Sequence, residues 1–376
     1  MKVLFVDQFG KTTGRDTLAL AELININKDV EMEVYLSDNT EIPADRSYSI
    51  KIAKGFHGAY EGSFVNKALN YLKALRALKE YIEKTHPDIV HLQWFSLPWL
   101  EWIHLGGLTK KQKVVITVHD VIPFDNRPME MKCLDKIYSK ANALVMHTET
   151  SKNLFRSTYK AKTPISVVTQ GFCLKSDYSI INKSEAKKHF CIPEDSIVFL
   201  NYGTIRPSKG LNILIKSIQK AHQKNKKVYL LAAGAFHKVN EDEYKTLVKN
   251  QLDNSFSNVR FGFVPQEEEK WYFSAADVVC LPYLEVTQSG VAQLGLMYEL
   301  PIIATNIGEM FDVCRDNKNG LLVSAGDENS LTDAIIKMTS DDVFRKAASY
   351  ESKILGETEF SLQIKANKIA DTYRNL

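Results

Sequence analysis

Cysteine is scarce in this 376-residue chain. The five present, Cys133, Cys173, Cys191, Cys280 and Cys314, are odd in number and never spaced Cys-x-x-Cys. That excludes a disulfide framework and a zinc module as the basis of the fold. No apolar run reaches the ~18 residues of a membrane span. The opening MKVLFVDQFG is broken by Asp7 too soon to read as a signal peptide, so a cytoplasmic location is expected. Low-complexity tracts and short-period repeats are lacking as well. A strong excess of either charge is lacking too: the net charge is +3, with 24 Lys and Arg against 20 Asp and Glu in residues 1–180 and 24 against 25 thereafter. Without a dense basic stripe, nucleic acid is not an expected partner.

What remains is an ordinary globular composition, 44% hydrophobic and 25% charged, in a chain long enough for two cores. Near-continuous apolar runs recur at 3–6, 32–36, 88–92, 114–120, 143–148 and 165–171, the pattern of strands buried on both faces. Between them Thr17–Ile26, Asn66–Thr85 and Thr150–Tyr159 have helical spacing. A polar stretch, Lys175–Lys188, interrupts the alternation, which resumes at 196–203, 227–234, 258–264, 277–283 and 300–305. Two doubly wound α/β domains follow: 1–178, with a terminal helix at 361–376 packing back on it, and 190–358. Ligands of such sheets bind in the loops after the strands, here in an expected cleft between domains that close about residues 175–190.

Two loops carry the chemistry. After Tyr202 comes Gly203-Thr-Ile-Arg206-Pro-Ser-Lys209-Gly210, leading into a helical run with Leu211, Leu214, Ile215 and Ile218. Gly203 allows a tight turn and close approach to a ligand. Arg206 and Lys209 set two cations beside a helix start, which suits a diphosphate. An exposed basic loop would look the same over so short a stretch. The second loop is Pro282-Tyr-Leu-Glu285-Val-Thr287-Gln-Ser289-Gly290-Val291-Ala-Gln293. Thr287 or Ser289 can cap a helix starting at Gly290, whose free N–H groups, with that of Val291, favour an anion. Glu285 outside that helix and Gln293 one turn inside it could reach a hexose and a ribose; a solvated loop Glu and a helix-surface Gln are the plain alternatives.

Together these segments resemble the retaining glycosyltransferases of family 4, which share the GT-B fold of two Rossmann-like domains facing across a cleft. The resemblance rests on Gly203, Arg206, Lys209-Gly210, Glu285, Gln293 and Pro301–Thr305. Ala275–Pro282, Ile307-Gly308, Asn319–Val323 and Asp327 add to it, covering most of residues 195–338. It implies that Arg206 and Lys209 neutralise the donor diphosphate, Glu285 bonds the transferred sugar, Gln293 the ribose, and the backbone near Val264 the base. Gln293 stands where the family usually has a second Glu, Asp312 where it often has a Glu, and Arg206 two positions later than the commonest Arg.

In the first half, Gly10-Lys-Thr-Thr-Gly14 resembles the family's opening glycine loop, and Thr117-Val-His119-Asp120 matches its histidine near the transferred sugar. A lone His is otherwise often structural. No Asp-x-Asp occurs, so no bound metal and no cofactor beyond the nucleotide sugar is expected. The implied activity is retaining, metal-independent hexosyl transfer from a nucleotide-diphosphate sugar to a glycan or lipid-linked acceptor in bacterial cell-surface polysaccharide synthesis. A nucleotide-sugar epimerase of the same fold and a non-catalytic partner of a transferase are the alternatives. Segment 66–84 sets Lys67, Lys73, Arg76, Lys79 and Lys84 beside Leu69, Tyr71, Leu72, Leu75, Leu78 and Ile82, near Trp94, Trp99 and Trp102. It could lie on an anionic membrane face or simply face a core.

Overall fold

The computed structural model describes residues 1–9, 13–40, 42, 47–59, 64–105, 111–123, 129–169, 171, 180–237, 239–286 and 289–376. The chain divides into two units, one formed by Met1–Cys173 with Ser361–Leu376 and the other by Leu174–Phe360.

The first unit holds β1 (Lys2–Asp7), β2 (Glu31–Ser37), β3 (Lys51–Gly55), β4 (Ile89–Leu92), β5 (Lys113–Thr117), β6 (Ala143–Met146) and β7 (Ile165–Val167). They form a sheet in the order β3-β2-β1-β4-β5-β6-β7, all neighbours parallel. The second holds β8 (Ile197–Tyr202), β9 (Val228–Gly234), β10 (Ser257–Phe261), β11 (Val278–Leu281), β12 (Ile302–Thr305) and β13 (Gly320–Val323). Their order is β10-β9-β8-β11-β12-β13, again parallel throughout.

The apolar runs explain the sheets: Val3, Leu4 and Phe5, like Val198, Phe199 and Leu200, are wholly buried because helices cover both faces. Leu211, Leu214, Ile215 and Ile218 line the buried stripe of helix Leu211–Lys224 at helical spacing. In each sheet the strand order reverses once, between β1 and β4 and between β8 and β11. Crossovers leave in opposite directions there, so the loops at the carboxyl ends part and open a crevice.

Two elements depart from the expectation. The polar stretch around 175–188 is not simply a linker. Within it Lys183–His189 is a helix capped by Asn182, whose Oδ1 accepts from the N–H groups of Ser184 and Glu185. Lys183 pairs with Asp277 at 2.7 Å, and the buried Lys187 donates to the carbonyls of Glu194 and Ser196 at 2.9 and 2.8 Å. These cations hold the entry to β8, so the second unit begins well before residue 190. Strand β3 was not anticipated, since its Lys51 and Lys54 hide the apolar alternation of an edge strand.

Helix Phe64–Thr85 buries Tyr71, Leu75, Leu78 and Ile82 in the core of the first unit, while Leu69 on the same helix stays exposed. Among the described residues no helix is long and apolar enough to cross a membrane. The terminal helix Leu362–Arg374 belongs to the first unit, where Tyr373 is buried and Arg374 pairs with Asp29 at 2.7 Å.

Candidate functional site

Both loops singled out from the sequence lie at the reversal point of the second sheet, one after β8 and the other after β11. Backbone joins them. The amides of Leu284 and Glu285 both donate to the Ser208 carbonyl, at 2.8 and 3.4 Å, which places Glu285 against the residue preceding Lys209. Gly210 makes this possible: it adopts φ +66°, and a Cβ there would sit 1.9 Å from the Pro282 carbonyl oxygen. Gly203 turns at φ +105°, a region other residues rarely adopt.

Lys209, in the 3-10 turn Pro207–Lys209, lays its Nζ 3.6 Å from the centroid of the Tyr283 ring. Burial, with Arg206 adding its positive charge, lowers the Lys209 pKa to about 8. Among the described residues neither cation has a carboxylate partner within 4.0 Å. A half-buried ammonium beside a second cation and no counter-ion is an anion site in waiting.

Tyr283 also reaches the helix that follows. Its hydroxyl lies 3.2 Å from Ser289 Oγ, and that oxygen caps helix Gly290–Met297 by accepting from the Ala292 N–H at 3.2 Å. Thr305 Oγ1 donates to the Tyr283 carbonyl at 2.7 Å. One aromatic residue thus ties the lysine to a helix N-terminus whose Gly290 and Val291 amides precede the first intrahelical bonds.

Gln293 is buried, not on a solvated helix surface, and its Oε1 has no hydrogen-bond partner among the described residues. Reversing the amide only exchanges which polar atom is left there. Glu285 is exposed, and Thr287 lies outside the described residues. Val264 lies just beyond edge strand β10, which is two strands from β8 in the sheet. Asp312 is in helix Met310–Val313, its carboxyl pKa raised by burial. Among the described residues no cluster of three or more His, Cys, Asp or Glu could hold a metal.

The first unit has its own constellation. His119, just beyond β5, stacks face to face on Trp94, centroids 3.7 Å apart and planes 8° from parallel. Its Nδ1 lies 3.4 Å from His147 Nε2 and its Nε2 3.3 Å from the Gln93 amide. Burial holds the His119 pKa far below its usual value and brings those of His147 and His91 to about 3, so all three rings are neutral.

Neutrality settles the protons. His147 Nδ1 faces the Val168 carbonyl at 3.0 Å and must donate, leaving its Nε2 to accept from His119 Nδ1–H. His119 Nε2 is then an acceptor, which requires the Gln93 NH₂ to face it. The Gln93 oxygen then faces Thr117 Oγ1 and His91 Nε2–H. His91 Nδ1 in turn accepts from Tyr373 O–H at 2.6 Å. A continuous chain of hydrogen bonds therefore runs from the terminal helix to His119.

Gly14 opens helix Gly14–Asn25, where an added Cβ would meet the Thr40 methyl at 2.3 Å, so close packing accounts for this glycine. Gly10 lies outside the described residues. Sequence reading missed Tyr283, Ser208, Gln93, Trp94 and His147. The signal was there for His147 and for Gln93-Trp94, which leave the carboxyl ends of β6 and β4 beside the end of β5.

Comparison with known proteins gives one consistent picture. Residues 28–175 match the model described as glycosyltransferase family 4, and residues 196–341 the model described as glycosyl transferases group 1. A D-inositol 3-phosphate glycosyltransferase of Nocardioides is 25% identical over 318 residues, 77% of this chain and 67% of that protein. A processive diacylglycerol alpha-glucosyltransferase of Acholeplasma laidlawii is 24% identical over 214 residues, 54% of this chain and 62% of that one. In fold, the chain is similar to sucrose-phosphate synthase of Thermosynechococcus elongatus (TM-score 0.77, 16% identity, 100% and 98% of the two chains). It is also similar to Anabaena HepE in complex with UDP-glucose (TM-score 0.72, 16% identity, 100% of both chains).

Proposed function

We propose that this chain, which belongs to glycosyltransferase family 4, is a metal-independent, retaining hexosyltransferase whose second unit holds a nucleotide-diphosphate sugar. The observation that carries the reading is the Lys209–Arg206 pair, partly desolvated, without a carboxylate among the described residues, and tied through Tyr283 to a capped helix N-terminus. Such preorganised positive charge stabilises a departing diphosphate without further rearrangement. Gln293 Oε1 accepts from a ribose hydroxyl, Glu285 bonds the hexose, and the backbone near Val264 meets the base. The departing phosphate oxygen takes the proton of the incoming hydroxyl, so no side-chain base is needed. That role division suits His119, which is neutral and already engaged at both ring nitrogens, and which orients its neighbours instead of exchanging protons. The test is thermal unfolding with UDP, GDP and ADP and their sugars, where a ligand at about 100 times its Kd stabilises by ~2.7 kcal/mol. EDTA should leave both the shift and the turnover intact, and the product anomer should keep the donor's configuration. Absence of a shift with every nucleotide, or an EDTA-sensitive one, would refute the proposal.

For the acceptor we infer a hydroxyl-bearing glycan or lipid-linked compound bound by the first unit, met in the cytoplasm during synthesis of cell-surface glycans. Leu69, Trp99 and Ile103, 53%, 53% and 67% exposed, with Lys73 and Arg76 exposed on the helix that carries Leu69, support peripheral contact with an anionic bilayer. Co-sedimentation with phosphatidylglycerol vesicles should fall in the Trp99→Ser variant; no sedimentation at low salt would remove the idea.

A further inference from the structure

Within the first unit a cavity of about 780 Å³ lies at the carboxyl ends of β4 and β5, a volume able to enclose a drug-sized ligand. Its polar and apolar linings come largely from different elements, with Lys67 and Glu130 the charged exceptions on the helices. Gln93, Thr117, His119 and Asp120 come from strand ends and are polar. Ala68, Leu97, Leu134 and Tyr138 come from the flanking helices and the loop after β4, and offer hydrocarbon and ring surface. Tyr71 adds to the apolar part, because its hydroxyl is spent on Gln8 Oε1 at 2.6 Å and on the buried Glu101, leaving the ring for the cavity.

These walls discriminate. A glycan filling the cavity would leave most of its hydroxyls without partners against Ala68, Leu97 and Leu134, and each unpaired buried hydroxyl weakens binding. An apolar group fills the same volume favourably. Charge decides the polar end: Asp120 stands there, while Lys67 and Glu130 are carried by the helices, so a neutral head is preferred to a phosphate.

We propose that this cavity binds the apolar aglycone, alkyl or aryl, of an amphiphilic acceptor whose neutral hydroxylated head lies at Gln93, His119 and Asp120. The proposal rests on the reading of the chain as a transferase whose first unit takes the acceptor, and it names the acceptor's class.

Binding can be read without turnover. The full chain is titrated calorimetrically with methyl, butyl, hexyl and octyl β-glucosides below their micelle concentrations, with phenyl β-glucoside as the aryl arm and hexyl phosphate as the anionic arm. The Kd should fall about two- to fourfold per methylene until the cavity is filled. Hexyl phosphate should bind at least about tenfold more weakly than hexyl glucoside, and relative affinity for the phenyl and hexyl glucosides tells aryl from alkyl. Ala68→Trp, or Leu97→Trp should the first fail to fold, should abolish the gradient and leave nucleoside diphosphate binding unchanged. A Kd independent of chain length, a gradient surviving both variants, or a preference for hexyl phosphate would each overturn the proposal. Transfer to a simple glycan with a flat gradient would sink this inference alone, whereas a steep gradient with no transfer from any nucleotide sugar would sink the transferase mechanism alone.

Discussion

Lys209 Nζ rests 3.6 Å from the centre of the Tyr283 ring, and that ring's hydroxyl reaches Ser289, the cap of the next helix. The contact keeps a cation partly out of water beside Arg206, at an energetic cost that only an incoming anion relieves. Lys209→Met should therefore leave the unliganded protein as stable as before or slightly more so. It should abolish the thermal shift induced by nucleoside diphosphates and lower kcat/KM by about 10²–10³. A variant that retains the nucleotide shift would remove Lys209 from the site.

The same lysine sets a pH dependence. With its pKa lowered to about 8 in the free protein, it is charged below that pH and neutral above it. A diphosphate binds the charged form and raises the pKa, so binding takes up a proton above pH 8 and affinity falls as pH rises through that value. Titration calorimetry at pH 7 and pH 9 should show at least about a fivefold loss in wild type. In Lys209→Arg, which stays charged, the loss should disappear.

Gly210→Ala tests the seam between the two loops. The new methyl would collide with a backbone carbonyl, which cannot swing aside as a side chain can, and the backbone there is left-handed. Destabilisation of about 2 kcal/mol or more is expected in urea unfolding, together with weaker nucleotide binding. Unchanged stability would mean the loops are not held together at this point.

Gln293→Leu should separate stability from binding. Replacing a buried amide whose oxygen lacks a partner among the described residues should cost the free protein little, while donor affinity falls by roughly 1–2 kcal/mol through loss of an acceptor. Equal affinity of wild type and variant for the nucleotide would show that no ribose hydroxyl reaches it.

The histidine chain predicts tautomers. In ¹⁵N-labelled protein the His119 and His147 rings should both carry their proton on Nδ1, because Val168 can only accept. In His147→Phe the His119 ring loses its acceptor and should shift toward the Nε2–H form, with turnover reduced and rescued in part by His147→Gln. A His119 proton on Nε2 in wild type would break the chain.

The alternation of buried runs and helical stripes, in both halves, determined from sequence alone that two parallel sheets would form. Local pattern suffices there because strands covered on both faces must be continuously apolar, as Val3–Phe5 and Val198–Leu200 are. The same pattern located the Gly203–Gly210 and Glu285–Gln293 segments after strands, and strand order then set them side by side. The Lys183–His189 helix and β3 were illegible because their lysines, polar in sequence, are spent on ion pairs with Glu33 and Asp277 and on nearby backbone carbonyls. Other decisions belonged to tertiary structure: the ring beneath Lys209, the buried oxygen of Gln293 left without a partner among the described residues, the burial that keeps His119 neutral, and the core that covers Tyr71, Leu75, Leu78 and Ile82 of Phe64–Thr85. Each depends on atoms brought together from distant positions, and on burial, which changes the cost of a charge without changing the residue that carries it.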